Sequence, residues 1–362
     1  MGRKMRTTPR EVLLVGSVPL APADEVFRTV AKHLGTLAPR IPDGEQIGWV
    51  LSAARSFARH PHLKPAAKVL LDTISRVTLD IYEPDSETFE LGPYGFADNA
   101  INSYQAFKRL KEEGLIPAGT RYQVTLPGPG TTAYAIRMDA DKLLPIARQA
   151  LLREVQQILN AIPAGELAFQ LDIAMEAEHE EYRRRPEAFD QPIHKEFSWT
   201  TEQVATSVAW LADKIPPEAD LGFHICSIWH HDTRAGQDNA VLVDSANAIA
   251  ARVSRRIDYL HIPVIPEHTA EDYEKLGKLR LKSGTKLYLG LINLSDGFEG
   301  AKRRIELASA VVDDFGIAMF CGLGRPPLPG LPSYKPKEVQ LTRATPDTIG
   351  EVLDLHREIA SL

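Results

Sequence analysis

Short, almost continuously apolar runs recur along the chain at Glu11–Pro19, Tyr122–Leu126, Leu167–Ile173, Leu221–Ile228, Tyr259–Ile265, Leu287–Asn293 and Ile317–Leu323. Runs of that length without polar alternation are what strands of a parallel sheet, covered on both faces, require. Between them, apolar residues return at helical spacing in Ala23–Leu34, Asn99–Glu113, Asp141–Leu159, Thr201–Asp213, Asp244–Arg256, Lys302–Asp314 and Thr348–Ser361. Strand followed by helix, repeated in this way and with no GxGxxG after the first strand, predicts an α/β fold: one (β/α)8 TIM barrel spanning 1–362, with extended loops at its C-terminal face. An eighth strand has no obvious run; the pattern offers Thr78–Tyr82, or a very short segment elsewhere. Three polar stretches, part of Pro39–Leu91, Glu178–Ser198 and Arg325–Gln340, are longer than ordinary connections and read as lids or binding loops.

Composition narrows the partners. The 362 residues are 44% hydrophobic and 25% charged, an ordinary globular balance. No run approaches the roughly 18–20 apolar residues of a membrane span. The basic tip is followed by only the apolar Val12–Val15, too short for a secretory core, so a cytoplasmic location is expected. With 42 basic against 48 acidic residues the net charge is -6, which argues against nucleic acid as a partner and for a small-molecule substrate. A homodimer is compatible with an acidic barrel, although no segment names an interface. Two cysteines cannot build a disulfide framework, so their positions carry more information than their number.

Cys226 lies in Leu221-Gly-Phe-His224-Ile-Cys226, and residues i and i+2 of a strand project to the same side. Cys321 lies where the last apolar run gives way to Cys321-Gly322-Leu-Gly324. In a barrel both strand ends open onto one face. One imidazole and two thiolates suit Zn²⁺, and three protein ligands with an open fourth position is the catalytic arrangement. The plainer reading is that two lone cysteines near strand ends are small buried hydrophobes, and spacing alone leaves both readings open. Beyond Cys226, His230, His231 and Asp232 are candidate pocket-lining, proton-donating or metal-ligating groups, or else an exposed polar loop. Trp229 is a candidate stacking surface for an aromatic or pterin ring. Arg40, Asp43 and Glu45 surround a Pro-Asp-Gly turn and become substrate contacts if that loop reaches the barrel mouth. Gly128 and Gly130 would permit a ligand to approach the backbone, and Arg183–Arg185 read as a solvated face or a clamp for a carboxylated donor.

The sequence resembles the catalytic C-terminal barrel of the cobalamin-independent methionine synthases, in the superfamily that also holds uroporphyrinogen decarboxylase. The likeness rests on Gly16-Ser17-Val18-Pro19, Leu126-Pro127-Gly128-Pro129-Gly130-Thr131, Gln170-Leu171-Asp172, His224-Ile225-Cys226 and Cys321-Gly322-Leu323, in the family's order and at similar spacing over most of the chain. It implies zinc on His224, Cys226 and Cys321, with the metal holding an acceptor thiol as a thiolate for attack on a methyl carried by a folate. It further implies that Asp172 holds the acceptor's amino group, with Ser17 and Gln170 beside it. Two features depart from the family. Pro263 stands at the position of the family's ligating glutamate, leaving His261, Glu267 and His268 as substitutes, and the Asp172–Glu176 spacing replaces an Asp-Glu-Pro pattern. The extra N-terminal barrel of those synthases is also missing.

Together these readings predict a zinc-dependent methyl or alkyl transferase. Asp172, His230, His231 and Asp232 are its candidate catalytic residues. Ser17, Gln170, Asp172, Glu176 and Trp229 are its candidate substrate contacts. His261 or Glu267 is the candidate fourth metal ligand. The competing expectation keeps barrel and metal but uses zinc to polarise water or a carbonyl, in a hydrolase or lyase acting on a small organic acid or aromatic substrate.

Overall fold

A computed structural model of the chain describes residues 8–72, 77–188, 195, 199–226, 239–326 and 343–362. Its strands are β1 (Val12–Leu13), β2 (Arg40–Pro42), β3 (Leu63–Asp72), β4 (Val77–Pro84), β5 (Arg121–Pro127), β6 (Leu167–Ile173), β7 (Asp220–Ile225), β8 (Tyr259–Pro263), β9 (Lys286–Ile292) and β10 (Gly316–Met319). Eight of them form one parallel sheet in the order β1-β10-β9-β8-β7-β6-β5-β2, while β3 and β4 pair with each other as an antiparallel hairpin. Strand neighbours in sequence are therefore neighbours in space, apart from the inserted hairpin. The two ends of the sheet meet at a parallel bridge between Ser17 and Gly44, and the Val18 amide donates to the Gly44 carbonyl at 3.3 Å. The result is a nearly closed TIM barrel, as the strand–helix repetition predicts.

The expected eighth strand is β2, only three residues long, and Thr78–Tyr82 instead lies in β4 of the hairpin. A three-residue strand is too short to show a period, which explains why the apolar pattern passes over it. Among the helices, Ala23–Leu34 has the expected limits. The next-to-last two begin about one turn earlier than expected, at Asn239 and Gly297. The first of these ends at Arg252, before the expected Arg256, because the following residues bridge to the neighbouring unit. There Ser254 donates to Asp213 at 2.8 Å, and Arg255 donates to the carbonyls of Ile215, Pro216 and Ala219 at 2.7–2.8 Å.

Alternation along the strands separates two cores. Val12 and Leu14 face the helices and join a cluster that runs from Val12 to Ala360, whereas Leu13 and Val15 face the lumen with Tyr259, Tyr288 and Ala318. The lumen is otherwise unusually polar. At its N-terminal end Arg40 pairs with Asp220 at 2.8 Å, donates to the Tyr288 hydroxyl, and lies over the Tyr259 ring. Tyr288 in turn donates to Glu11. Arg40 therefore plugs the barrel floor and does not reach the substrate face. No helix among the described residues is long and apolar enough to cross a membrane.

Outside the barrel, buried Glu154 caps a neighbouring helix. Its carboxylate accepts from the amides of Tyr94 (2.6 Å), Gly95 (3.3 Å) and Ala97 (2.7 Å), at the start of the helix Phe96–Glu112. These are amides that a helix cannot satisfy internally. Replacing Glu154 with Gln puts an N–H where an acceptor is needed. Urea unfolding of Glu154→Gln should show a loss of about 1–3 kcal/mol, and an unchanged midpoint would show that the cap contributes nothing.

Candidate metal centre

Parallel register sets the first half of the site. Asp172 on β6 is the register partner of His224 on β7, and His224 is the partner of His261 on β8, so three polar side chains form one lumen-facing row near the C-terminal ends of their strands. Cys226 follows two residues after His224 on the same side, and its amide donates to the Ile173 carbonyl at 2.9 Å. The second half comes from the loop after β10, where the Leu323 amide donates to the Ser17 carbonyl and Ala344 to that of Leu323. Arg343 donates to the Gly322 carbonyl at 2.6 Å and lies over the Phe320 ring. This stitching brings Cys321 across the barrel mouth. One ligand atom each from His224, Cys226 and Cys321 lies within 4.8 Å of the others, so the group could hold a metal ion.

The imidazole chemistry agrees with that reading. His224 Nδ1 is 2.7 Å from His261 Nδ1, and His261 Nε2 is 3.0 Å from the Met319 carbonyl. His224 Nε2 is buried, with the Cys321 sulfur beside it and no nitrogen or oxygen partner in the protein. A buried imidazole nitrogen whose neighbours are sulfurs fits a metal ligand. The two thiols are interdependent. Hydrogen bonding from Cys226, with the nearby Arg343 charge, holds Cys321 well below the usual thiol range, although burial opposes this. Cys226 is pushed well up, by that same hydrogen bond and by burial. Of the two thiols, Cys321 is thus the more acidic and Cys226 holds its proton more tightly.

Asp172 is the notable carboxyl. Burial pushes its pKa up to about 7, against the opposing influence of His224 and of the Gln170 amide. Gln170 Nε2 donates to Asp172 at 2.8 Å and also to the Val15 carbonyl, while Gln123 Nε2 donates to the Leu14 carbonyl at 2.9 Å. Gln170 is fully buried beneath Asp172; it orients that carboxyl and does not line the pocket. The pocket itself, some 690 Å³ including its open mouth, has Cys226, Cys321, His224 and Asp172 at one side and Ser17, Glu45, Phe96 and Arg325 among its other walls.

Other expected residues are placed as follows. Trp229, His230, His231 and Asp232 lie outside the described residues. His261 has both ring nitrogens engaged behind His224, and Glu267 is exposed; neither belongs to the donor cluster. His268 is buried in the same loop and is likewise outside the cluster. Glu176 is buried, takes a hydrogen bond from Thr131, and is held up by burial. It fills the space left by Gly128 and Gly130: a Cβ on Gly130 would lie 2.6 Å from Glu176 Cγ and 2.7 Å from the Trp199 ring. Those glycines admit a protein side chain, not a ligand. Asp43 lines the pocket and is held there by hydrogen bonds from Asn99 (2.7 Å), Ser103 (2.9 Å) and Tyr122 (3.3 Å). Arg183 and Arg184 pair with Glu180 on their own helix, and Arg185 with Glu181.

One participant escapes sequence reasoning. Arg343 has no motif, and only the fold brings it to the Cys321 loop. Glu45, expected to contact substrate if its turn reaches the barrel mouth, does line the pocket; it has a positive φ of 66°, its amide donates to Asp43 at 3.0 Å and its carboxylate lies 3.2 Å from Arg325. A non-glycine residue in that region is a constraint concentrated at functional sites.

Searches against family models and curated proteins found no match for this chain.

The unequal thiols make a direct prediction. In chelator-treated protein, iodoacetamide at pH 7 should modify Cys321 before Cys226, as read by peptide mass mapping. Earlier modification of Cys226 would mean that Cys226, not Cys321, is the more acidic thiol.

Proposed function

We propose that the protein is a zinc-dependent methyl or alkyl transferase, with His224, Cys226 and Cys321 as the metal ligands and a thiol or related nucleophile as the acceptor. The observation that carries this reading is the convergence of those three donors on one wall of the pocket, with His224 Nε2 buried and bonded to no nitrogen or oxygen of the protein. Bound there, zinc supplies a Lewis acid that keeps a ligated thiol deprotonated at neutral pH. Three residues of the chain then do the remaining work. Asp172, oriented by Gln170, accepts the proton that the acceptor gives up or holds its ammonium group. Ser17 and Glu45, lining the same pocket, orient the acceptor toward a methyl donor such as a methylated folate.

A second reading, a zinc-dependent hydrolase or lyase acting on a small organic acid or aromatic substrate, draws on one observation. In the metal-free protein Asp172 has a carboxyl that titrates near neutrality, beside the donor cluster, as general acid–base catalysis requires. Turnover that needs metal but neither thiol nor methyl donor would select it.

Elemental analysis of protein purified without chelators should find zinc in the wild type and none in Cys226→Ser or Cys321→Ser, with circular dichroism unchanged. Equal metal in all three proteins would remove the site. Asp172→Asn should retain zinc and lose about 10²–10⁴-fold in kcat/KM; loss of zinc from that variant would reassign Asp172 to the metal.

A further inference from the structure

We infer that His261 is the positioning residue of the metal centre: it fixes His224 in the tautomer that presents Nε2 to the metal, and it ties the strand carrying His224 and Cys226 to the strand end carrying Cys321. This rests on the zinc reading above and extends it to a residue that would not touch the metal.

The argument is one of proton accounting. A metal on His224 Nε2 needs the lone pair there, so the neutral ring keeps its proton on Nδ1. That Nδ1 lies 2.7 Å from His261 Nδ1, which must therefore accept. The remaining His261 proton is on Nε2, 3.0 Å from the Met319 carbonyl, a group that only accepts. Each of the four positions in the chain from metal to carbonyl has one role, and no proton is left over. Both rings are almost wholly buried, so water cannot supply an alternative partner.

Reaching Met319 requires the chain of contacts to pass from β8 to β10 across β9, and two local features make that possible. At β9 the crossing point is Gly290, where a Cβ would stand 2.9 Å from the Met319 oxygen and 2.6 Å from Phe320 Cα. The β9–β10 register also shifts between Ile317 and Met319. An irregularity of this kind re-aims backbone groups near the end of a strand. Met319 is two residues before Cys321, so the bond that orients His261 also anchors the approach to the second thiolate. A side chain removed from β9, a shifted register in β10 and an imidazole on β8 meet at one carbonyl.

The test is the zinc dissociation constant, measured by competition with a chromogenic chelator on the full-length protein. His261→Phe keeps an aromatic ring but offers no acceptor to His224 Nδ1; it should bind zinc about 10–100-fold more weakly. His261→Gln restores an acceptor oxygen and should recover most of that loss, which a purely space-filling role would not allow. Zinc bound by His261→Phe as tightly as by the wild type would overturn the inference while leaving the metal site intact. Wild-type protein that binds no zinc would instead overturn the metal reading and this inference with it. Should His261→Phe fail to fold, imidazole ¹⁵N NMR of the wild-type zinc protein decides the matter. His224 is expected to bind zinc through Nε2 and to keep its proton on Nδ1, and metal on Nδ1 would refute the proposal.

Discussion

Everything at the mouth of this barrel depends on satisfying polar groups in a lumen closed to water. A barrel interior filled with branched aliphatic side chains needs no such arrangement. Here the lumen holds Arg40, Asp220, Gln123, Gln170, Asp172, His224 and His261. Burying any one of them without a partner would cost on the order of 1–3 kcal/mol. The structure meets this requirement in layers. The guanidinium of Arg40 takes up Asp220 at the floor and the two glutamine amides take up the carbonyls of Leu14 and Val15 just beyond β1, while Gln123 Oε1 and Tyr259 Oη stay unpaired within the lumen. At the C-terminal face His224 Nε2 also meets no nitrogen or oxygen partner.

The same interior accounts for the uneven work of Asp172. It lies in a row with two imidazoles, and burial disfavours its charged form, so its carboxyl is poised near neutrality rather than fixed as an anion. Gln170 prevents it from turning away. The donor cluster and the carboxyl of Asp172 thus lie side by side on adjacent strands, neither supplied by a long, mobile side chain.

Much of this was legible in the sequence, and the exceptions have physical causes. The apolar runs gave seven of the eight barrel strands, and His224 and Cys226 were visible as a pair because a strand places i and i+2 together. Cys321 was marked by an apolar run ending in glycines. β2 was invisible because three residues carry no period. The helix Met175–Arg184 was read in part as a polar loop because polarity was taken as exposure, whereas Glu176, Glu178, His179 and Glu181 on it are buried. The position of His261 could be noted, but its link to Met319 depends on the register of β10 and on the gap at Gly290, neither of which a one-dimensional pattern encodes. Gly128 and Gly130 read in the sequence as places where a ligand approaches the backbone, but the group that approaches is Glu176.

The Ser17–Gly44 bridge has a broader consequence. Among the described residues, β1 and β2 share no regular ladder, and this bridge with the adjoining Val18–Gly44 hydrogen bond closes the gap between them. Ser17 and Glu45, on its two sides, also line the pocket. The seam of the cylinder and the entrance to its chemistry are one location. A molecule lodged between those residues would act as a rivet, so that filling the site and fastening the barrel become a single thermodynamic event.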